Sequence, residues 1–326
     1  MLGRILLKRF TEPLHTIGPL TLERVDIHQH LWPEPLLREL SERHEAPCLV
    51  RHREGWALRV HGEPETPVDL ADHEPGRRAA LVAADRVDRA LVAPSTPLGI
   101  EALPVAEAEP LLAAYHDGVA ELPAGFGAWA AVGLSDPDPA ALSRLLDEGF
   151  AGACVPADAL GDRAGFERLG PVLETLERRG APLLVHPGPA SAGAAGRPSW
   201  WPALTDYVAA MQTAWHAFAV WGRPAHPRLR VCFAMLAGLA PLHRERLVAR
   251  GGRVESDPDV YLDCSSYGAR AVDAVLREVG VDRLVHGSDR PVIGPSELSL
   301  GEAVEVALRE RNPARLLAPT PTEIAA

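Results

Sequence analysis

Thr21-Leu22-Glu23-Arg24-Val25-Asp26-Ile27-His28-Gln29-His30-Leu31-Trp32-Pro33 is the stretch against which the rest of the chain is read. Its apolar residues describe a short strand, and residues i and i+2 of a strand share a face, so His28 and His30 project to the same side. Two imidazoles so placed can chelate a metal. Pro33 and Pro35 forbid the strand from continuing, which sets the pair at a strand end, where a site can open to solvent. A chain with 13 histidines in 326 residues produces such a pair by chance, so its meaning rests on the residues downstream.

Beyond the first strand, short apolar runs alternate repeatedly with helical spacings. Strands are predicted at Arg89–Ser95, Gly125–Leu134, Gly152–Pro156, Pro182–Gly188, Arg230–Met235, Val260–Ser265 and Arg283–Asp289. Helices of ten or so residues are predicted after the strands: 76–87, 102–118, 136–148, 166–179, 205–221, 241–250, 269–279 and 302–310. Together with the first strand this makes eight strand–helix units, the pattern of an α/β (β/α)₈ TIM barrel. A doubly wound sheet is the alternative, but no glycine-rich phosphate fingerprint follows the first strand. The barrel is expected over 1–317, with a polar, proline-punctuated insertion at about 34–75 and a frayed tail at 318–326. Within the insertion, Cys48–Val60 reads as a hairpin turning at Glu54-Gly55, placed to lie over a strand end as a lid.

Composition narrows the classes. A formal net charge of -11 without a Lys/Arg-dense face argues against a nucleic acid or an anionic membrane as partner. No apolar run approaches the roughly 18 residues that cross a bilayer, and Met1–Phe10 lacks a signal-peptide pattern. Cys48, Cys154, Cys232 and Cys264 are far apart, the last three in apolar runs, and are expected to be reduced core residues. The expected location is cytoplasmic and the expected partner a small-molecule substrate. A homodimer is one assembly that such barrels form through their outer helices.

Barrel enzymes place their chemistry at the C-terminal ends of the strands. His28 and His30 end the first strand, His186 the fifth and Asp289 the eighth, so three imidazoles and a carboxylate meet on one rim as a ligand set for zinc or another divalent ion. Here the chain resembles the amidohydrolase superfamily, in the amidohydrolase-related branch of decarboxylases, lactonases and hydrolases. The resemblance rests on Asp26-Ile27-His28-Gln29-His30, Leu184-Val185-His186-Pro187, Gly287-Ser288-Asp289-Arg290-Pro291 and Asn312-Pro313-Ala314-Arg315-Leu316-Leu317. It implies one divalent metal held by His28, His30, His186 and Asp289: zinc first, with manganese, iron or cobalt admitted by the same donors. Members of the branch usually carry a histidine followed by glycines after the sixth strand. This chain has Phe233-Ala234-Met235-Leu236-Ala237-Gly238, with a thioether that takes no proton from water at neutral pH. Either Asp289 alone is the base, or the site is degenerate.

Trp32, Trp200 and Trp201 stand beside the rim motifs and could wall a substrate pocket or anchor loops. Strand alternation points His286 away from the metal. His216 and His243 fit outer helices, and Asp26 is expected to orient the metal histidines or the strand end in a supporting role. Arg51, Arg53 and Arg59 could meet a substrate carboxylate, a solvated edge strand being the plainer reading. The function expected is a metal-dependent hydrolase of a small amide, lactam or lactone, with Asp289 as base. A metal-dependent decarboxylase of an aromatic or unsaturated acid is the alternative, against which the missing histidine tells. A degenerate barrel acting as a binding protein is the third reading.

Overall fold

The computed structural model describes residues 22–191 and 197–318, so the readings of Met1–Phe10 and of the tail beyond Ala318 lie outside the described residues. Eight parallel strand positions run in sequence order around a ring: β1 (Val25–Gln29), β5 (Arg89–Val92), β6 and β7 (Phe126–Ala128, Ala130–Ala131), β8 (Ala153–Pro156), β9 (Leu183–His186), β10 (Val231–Phe233), β11 (Val260–Asp263) and β12 (Leu284–Val285). β6 and β7 are two halves of one strand, the first pairing with β5 and the second with β8. The ring closes between β12 and β1, where the Ile27 amide donates to His286 O (3.0 Å), the Asp289 amide donates to His28 O (2.9 Å), and Gln29 bridges to Arg290. That closure leaves no sheet edge in the barrel.

One cluster of buried side chains draws from every strand position: Val25, Ile27, Leu91, Ala93, Trp129, Cys154, Leu184, Cys232, Tyr261 and Val285, with Leu316 of α12 (Asn312–Leu317). It fills the barrel. A larger cluster, with Val92, Val155, Leu183, Val185, Phe233 and Leu284 on the strand side, packs beneath the helices. These are α2 (Pro75–Ala84), α3 (Val105–Ala120), α4 (Pro139–Asp147), α5 (Arg163–Arg179), α7 (Asp206–Ala217), α9 (Arg244–Ala249), α10 (Ala269–Val279) and α11 (Glu302–Val306). Two short helices, α6 (Trp201–Leu204) and α8 (Arg223–Ala225), flank α7. Strands buried on both faces explain the near-continuous apolar runs of the sequence. All four cysteines are buried and free. Among the described residues no helix is long and apolar enough to cross a membrane.

Two segments differ from the sequence reading. The insertion opens with α1 (Glu34–Glu42), whose prolines sit at its start, where they are tolerated, and its hairpin β2 (Cys48–His52), β3 (Gly55–Arg59) gains a third antiparallel strand, β4 (Thr66–Val68). The hairpin turns at Arg53-Glu54, one residue earlier than expected. The helix predicted from Pro241 begins only at Arg244, because the chain from Met235 first makes a left-handed turn.

Candidate metal centre

Strict alternation along β1 would put Val25 and Ile27 inside the barrel and His28 and His30 outside. The pairing register with β5 shifts between Asp26 and Gln29. This bulge re-aims the strand: Ile27 still packs in the barrel interior, while the ring nitrogens of His28 and His30 reach the C-terminal mouth. There they meet His186, at the end of β9, and Asp289, four residues beyond β12.

One ligand atom from each of these four residues lies within 4.8 Å of the others. The three imidazole centroids are 4.8 to 4.9 Å apart, with rings near-perpendicular at 83° to 89°. His28 Nε2 is 3.1 Å from His30 Nε2, and Asp289 Oδ1 is 3.2 Å from His30 Nε2 and 3.8 Å from His28 Nε2.

The far nitrogen of each ring is already engaged. His28 Nδ1 donates to Asp263 Oδ2 (2.7 Å), and His30 Nδ1 donates to the Ala93 carbonyl (3.1 Å). The Thr96 hydroxyl donates to Pro187 O (2.6 Å), so its oxygen, with that carbonyl, receives His186 Nδ1–H at 2.8 and 3.0 Å. With Nδ1 protonated on all three, every Nε2 presents a lone pair to the same small space. Three lone pairs and a carboxylate facing one another inside a protein repel unless a cation lies among them. The residues present therefore fit a divalent metal, and they are neutral imidazole and oxygen donors that suit zinc and its first-row neighbours.

Protons compete with a cation for these same positions. Burial disfavours a charge on His28, but Asp263 chiefly, with Asp289 and Asp26, overrides it and pushes the imidazole up to about 9. Burial and the neighbouring His28 and His30 push His186 far below the ordinary histidine value. Burial alone would raise Asp289; the hydrogen bond and positive potential of the histidines win and hold it well below the usual carboxylate range. Its Oδ2 receives the Ser266 hydroxyl at 3.0 Å.

A family model described as "Amidohydrolase" matches residues 25–326. The chain belongs to the amidohydrolase family. No curated protein matches this amidohydrolase in sequence. In structure it resembles IDCase of Metarhizium anisopliae in its apo form (TM-score 0.73, 18% identity, covering 92% of this chain and 97% of that one). It also resembles 5-carboxyvanillate decarboxylase from Sphingomonas paucimobilis (0.71, 16%, 92% and 100%) and 2,6-dihydroxybenzoate decarboxylase from Rhizobium (0.61, 16%, 91% and 99%). At these identities the likeness is one of fold.

The other residues singled out in the sequence are dispersed around this amidohydrolase centre. Trp32 is buried, its indole N–H donating to Ser95 Oγ (2.8 Å) and its ring stacked on His73 at 4.4 Å, so it anchors the start of the insertion. Trp201, the first residue of α6, is half-buried, and Trp200 just before it is exposed. His286 points out of the barrel, its Nε2 3.9 Å from Asp26 Oδ2, as alternation required. Asp26 supports the strand end, accepting the His28 and Ser288 amides on Oδ1 and the Gln29 side-chain amide on Oδ2. Arg51 lies over Trp56 and Arg59 pairs with Glu65 on the solvated hairpin. His216 lies in α7 and His243 just before α9.

Asp263 is the residue the sequence reading passed over. A carboxylate ending an apolar strand on the rim that carries the ligands was the available signal. Its Oδ1 accepts the Ser265 amide (2.7 Å) and the Met235 amide (3.2 Å), while its Oδ2 takes His28. Met235 thus serves the centre through its backbone.

Proposed function

We propose that this amidohydrolase-family barrel decarboxylates a small aromatic or unsaturated carboxylic acid without hydrolysis. One observation carries the reading: His28, His30, His186 and Asp289 meet as a cation site that suits a carboxylate substrate, while position 235 supplies no proton acceptor. Hydrolysis, the first expectation, needs a group that takes a proton from water, and within the four-residue cluster only Asp289 is left for that role. Decarboxylation asks the opposite. The bond from carbon to carboxylate breaks, its electron pair stays on the carbon, and one proton replaces carbon dioxide. Asp289, a carboxylate at rest, takes that proton from the substrate's own acid form or from solvent and passes it to the carbon. The missing histidine tells against decarboxylation by resemblance, and it leaves hydrolysis with no second proton acceptor beside Asp289. The names of the fold neighbours, two of them decarboxylases of aromatic acids, support the same reading, and a further 5-carboxyvanillate decarboxylase, from Novosphingobium aromaticivorans, carries bound manganese (TM-score 0.68, 16% identity, covering 92% of this chain and 98% of that one).

A divalent cation held by His28, His30, His186 and Asp289 supplies a positive pole for the substrate carboxylate and an adjacent oxygen. The chain's own residues do the rest: Asp263, Ala93 and Thr96 fix the three ring tautomers, and Ser266 orients Asp289. Trp201, Trp200 and Trp32 are the proposed walls of the substrate pocket, zinc the proposed ion, and the reduced cysteines support a cytoplasmic location. The intact ligand set supports a working centre over a degenerate barrel.

The test offers metal-loaded protein hydroxybenzoates and unsaturated acids beside lactones, esters and amides. Carbon dioxide released in step with the decarboxylated product, and lost in Asp289→Asn with an unchanged circular dichroism spectrum, is the expected result. Hydrolysis of an ester or lactone without carbon dioxide overturns the reading.

A further inference from the structure

The insertion leaves the barrel after β1, and in a closed ring of eight strands the strand opposite the first is the fifth, β9. A segment that starts at β1 and touches the loop after β9 has crossed the mouth. The insertion does so. Gly62, between β3 and β4, has φ +81°, and a Cβ there would lie 2.5 Å from the Ala190 carbonyl and 3.1 Å from that of Ser191, four and five residues past the ligand His186. Only glycine permits this backbone approach.

The next residue makes a second contact. The Tyr207 hydroxyl donates to Glu63 Oε1, joining the insertion to the start of α7. That end of α7 is itself seated on the turn that begins at Met235: Gln212 Nε2 donates to Gly238 O (2.7 Å), and a Cβ on Gly238 would meet the Val208 carbonyl at 2.7 Å. Burial, then Glu63, push the Tyr207 hydroxyl upward. Glu63 is half-buried, and burial raises its carboxyl too. Both contacts reach segments that follow the fifth strand, across the mouth from the insertion's root, and α7 in turn rests on the turn after the sixth.

We propose that Glu63 and Tyr207 form a clasp that holds the insertion shut across the metal centre, so that this pair, and not the metal ligands, sets the size of molecule that gains entry. The pair contacts the barrel at the mouth and touches none of the four ligands, which makes access separable from affinity. The proposal rests on the position of the metal centre and is independent of the reaction performed there, because its test uses the metal alone.

The zinc-loaded full chain is mixed with the ring-sized chelator 4-(2-pyridylazo)resorcinol, and the rate of zinc transfer is followed beside the equilibrium zinc affinity. Tyr207→Phe and Glu63→Ala are expected to release zinc about fivefold faster, the factor one hydrogen bond of ordinary net strength is worth, at unchanged affinity. Amide exchange over Cys48–Val68 should rise by a similar factor. Glu63→Gln, whose amide oxygen still accepts the tyrosine proton, should behave as the wild type. Transfer rates and exchange equal to wild type in Tyr207→Phe overturn the clasp. So does faster release matched by an equal loss of affinity, which places the effect at the ligands, and so does Glu63→Gln as fast as Glu63→Ala. Failure of every decarboxylation assay leaves these outcomes unaltered.

Discussion

Replacing Asp263 by asparagine isolates the role of a residue that touches no metal. Its hydrogen-bond partners are donors: His28 Nδ1–H at 2.7 Å on one oxygen, and the Ser265 and Met235 amides at 2.7 and 3.2 Å on the other. An asparagine of the same shape has one oxygen and one NH₂. If the NH₂ faces the two amides, donor meets donor in a site where Asp263 is fully buried, at about 1 to 3 kcal/mol. If it faces His28, the ring must shift its proton to Nε2, and that nitrogen can no longer bind a metal. Either way zinc binding weakens. Loss of such an outer partner costs about 10- to 100-fold in affinity, or about 1.4 to 2.7 kcal/mol. The assay is competition against a chromophoric chelator for the wild type, Asp263→Asn and Asp263→Glu, with thermal melts of the metal-free proteins beside it. A zinc affinity for Asp263→Asn within twofold of wild type would refute the reasoning, since it would mean that His28 needs no partner to present Nε2.

Four other outcomes are expected on the same structural grounds. Elemental analysis of untagged protein should find about one equivalent of zinc or manganese, lost in the double variant His28→Ala, His30→Ala. Asp289→Asn should abolish turnover with the melting curve preserved. Gly62→Ala should open the mouth from its other contact, raising zinc transfer to the chelator without changing affinity, because the added Cβ cannot share space with the Ala190 carbonyl. Glu101 is a fully buried acid whose carboxyl burial, aided by Asp158, raises to about 7 from 4.5. Its folded pKa lies above the unfolded one, so the unfolded chain binds fewer protons between those values and stability falls as pH rises from 4.5 to 7, by about 3 kcal/mol in total. Denaturant titrations at pH 5 and pH 8 should show that difference shrink in Glu101→Gln.

Much of the barrel was legible because its cause is local and repeated. A parallel strand buried on both faces has to be apolar, and runs such as Leu183–His186 and Val260–Asp263 announce themselves whatever surrounds them. The ligand set was legible for a related reason: histidine and aspartate at the ends of such runs have few structural uses. What escaped was set by tertiary contact. The bulge in β1 that turns His28 and His30 inward depends on pairing with β5, which no single strand reveals. The three tryptophans look alike in sequence, yet one is pinned by Ser95 and His73 while another lies exposed.

The turn after β10 shows most plainly why the centre could be read only in part. Met235, Leu236, Ala237, Gly238 and Leu239 have φ of 42°, 51°, 52°, 61° and 65°, five left-handed residues in a row, four of them not glycine. Leucine, alanine and methionine are ordinary helix formers, so the segment reads as a helix approach, and each non-glycine residue held there costs roughly 1 to 2 kcal/mol. Such a conformation persists only where its surroundings over-determine it. Here Asp263 and Ser265 hold the Met235 amide, Ala234 O accepts the Ala237 amide (2.9 Å), and Gln212 and Val208 of α7 clamp Gly238. The strain sits where Met235 N–H meets Asp263, and through Asp263 it bears on His28. Met235 therefore supports the metal centre through its amide, although its side chain offers the centre no proton acceptor.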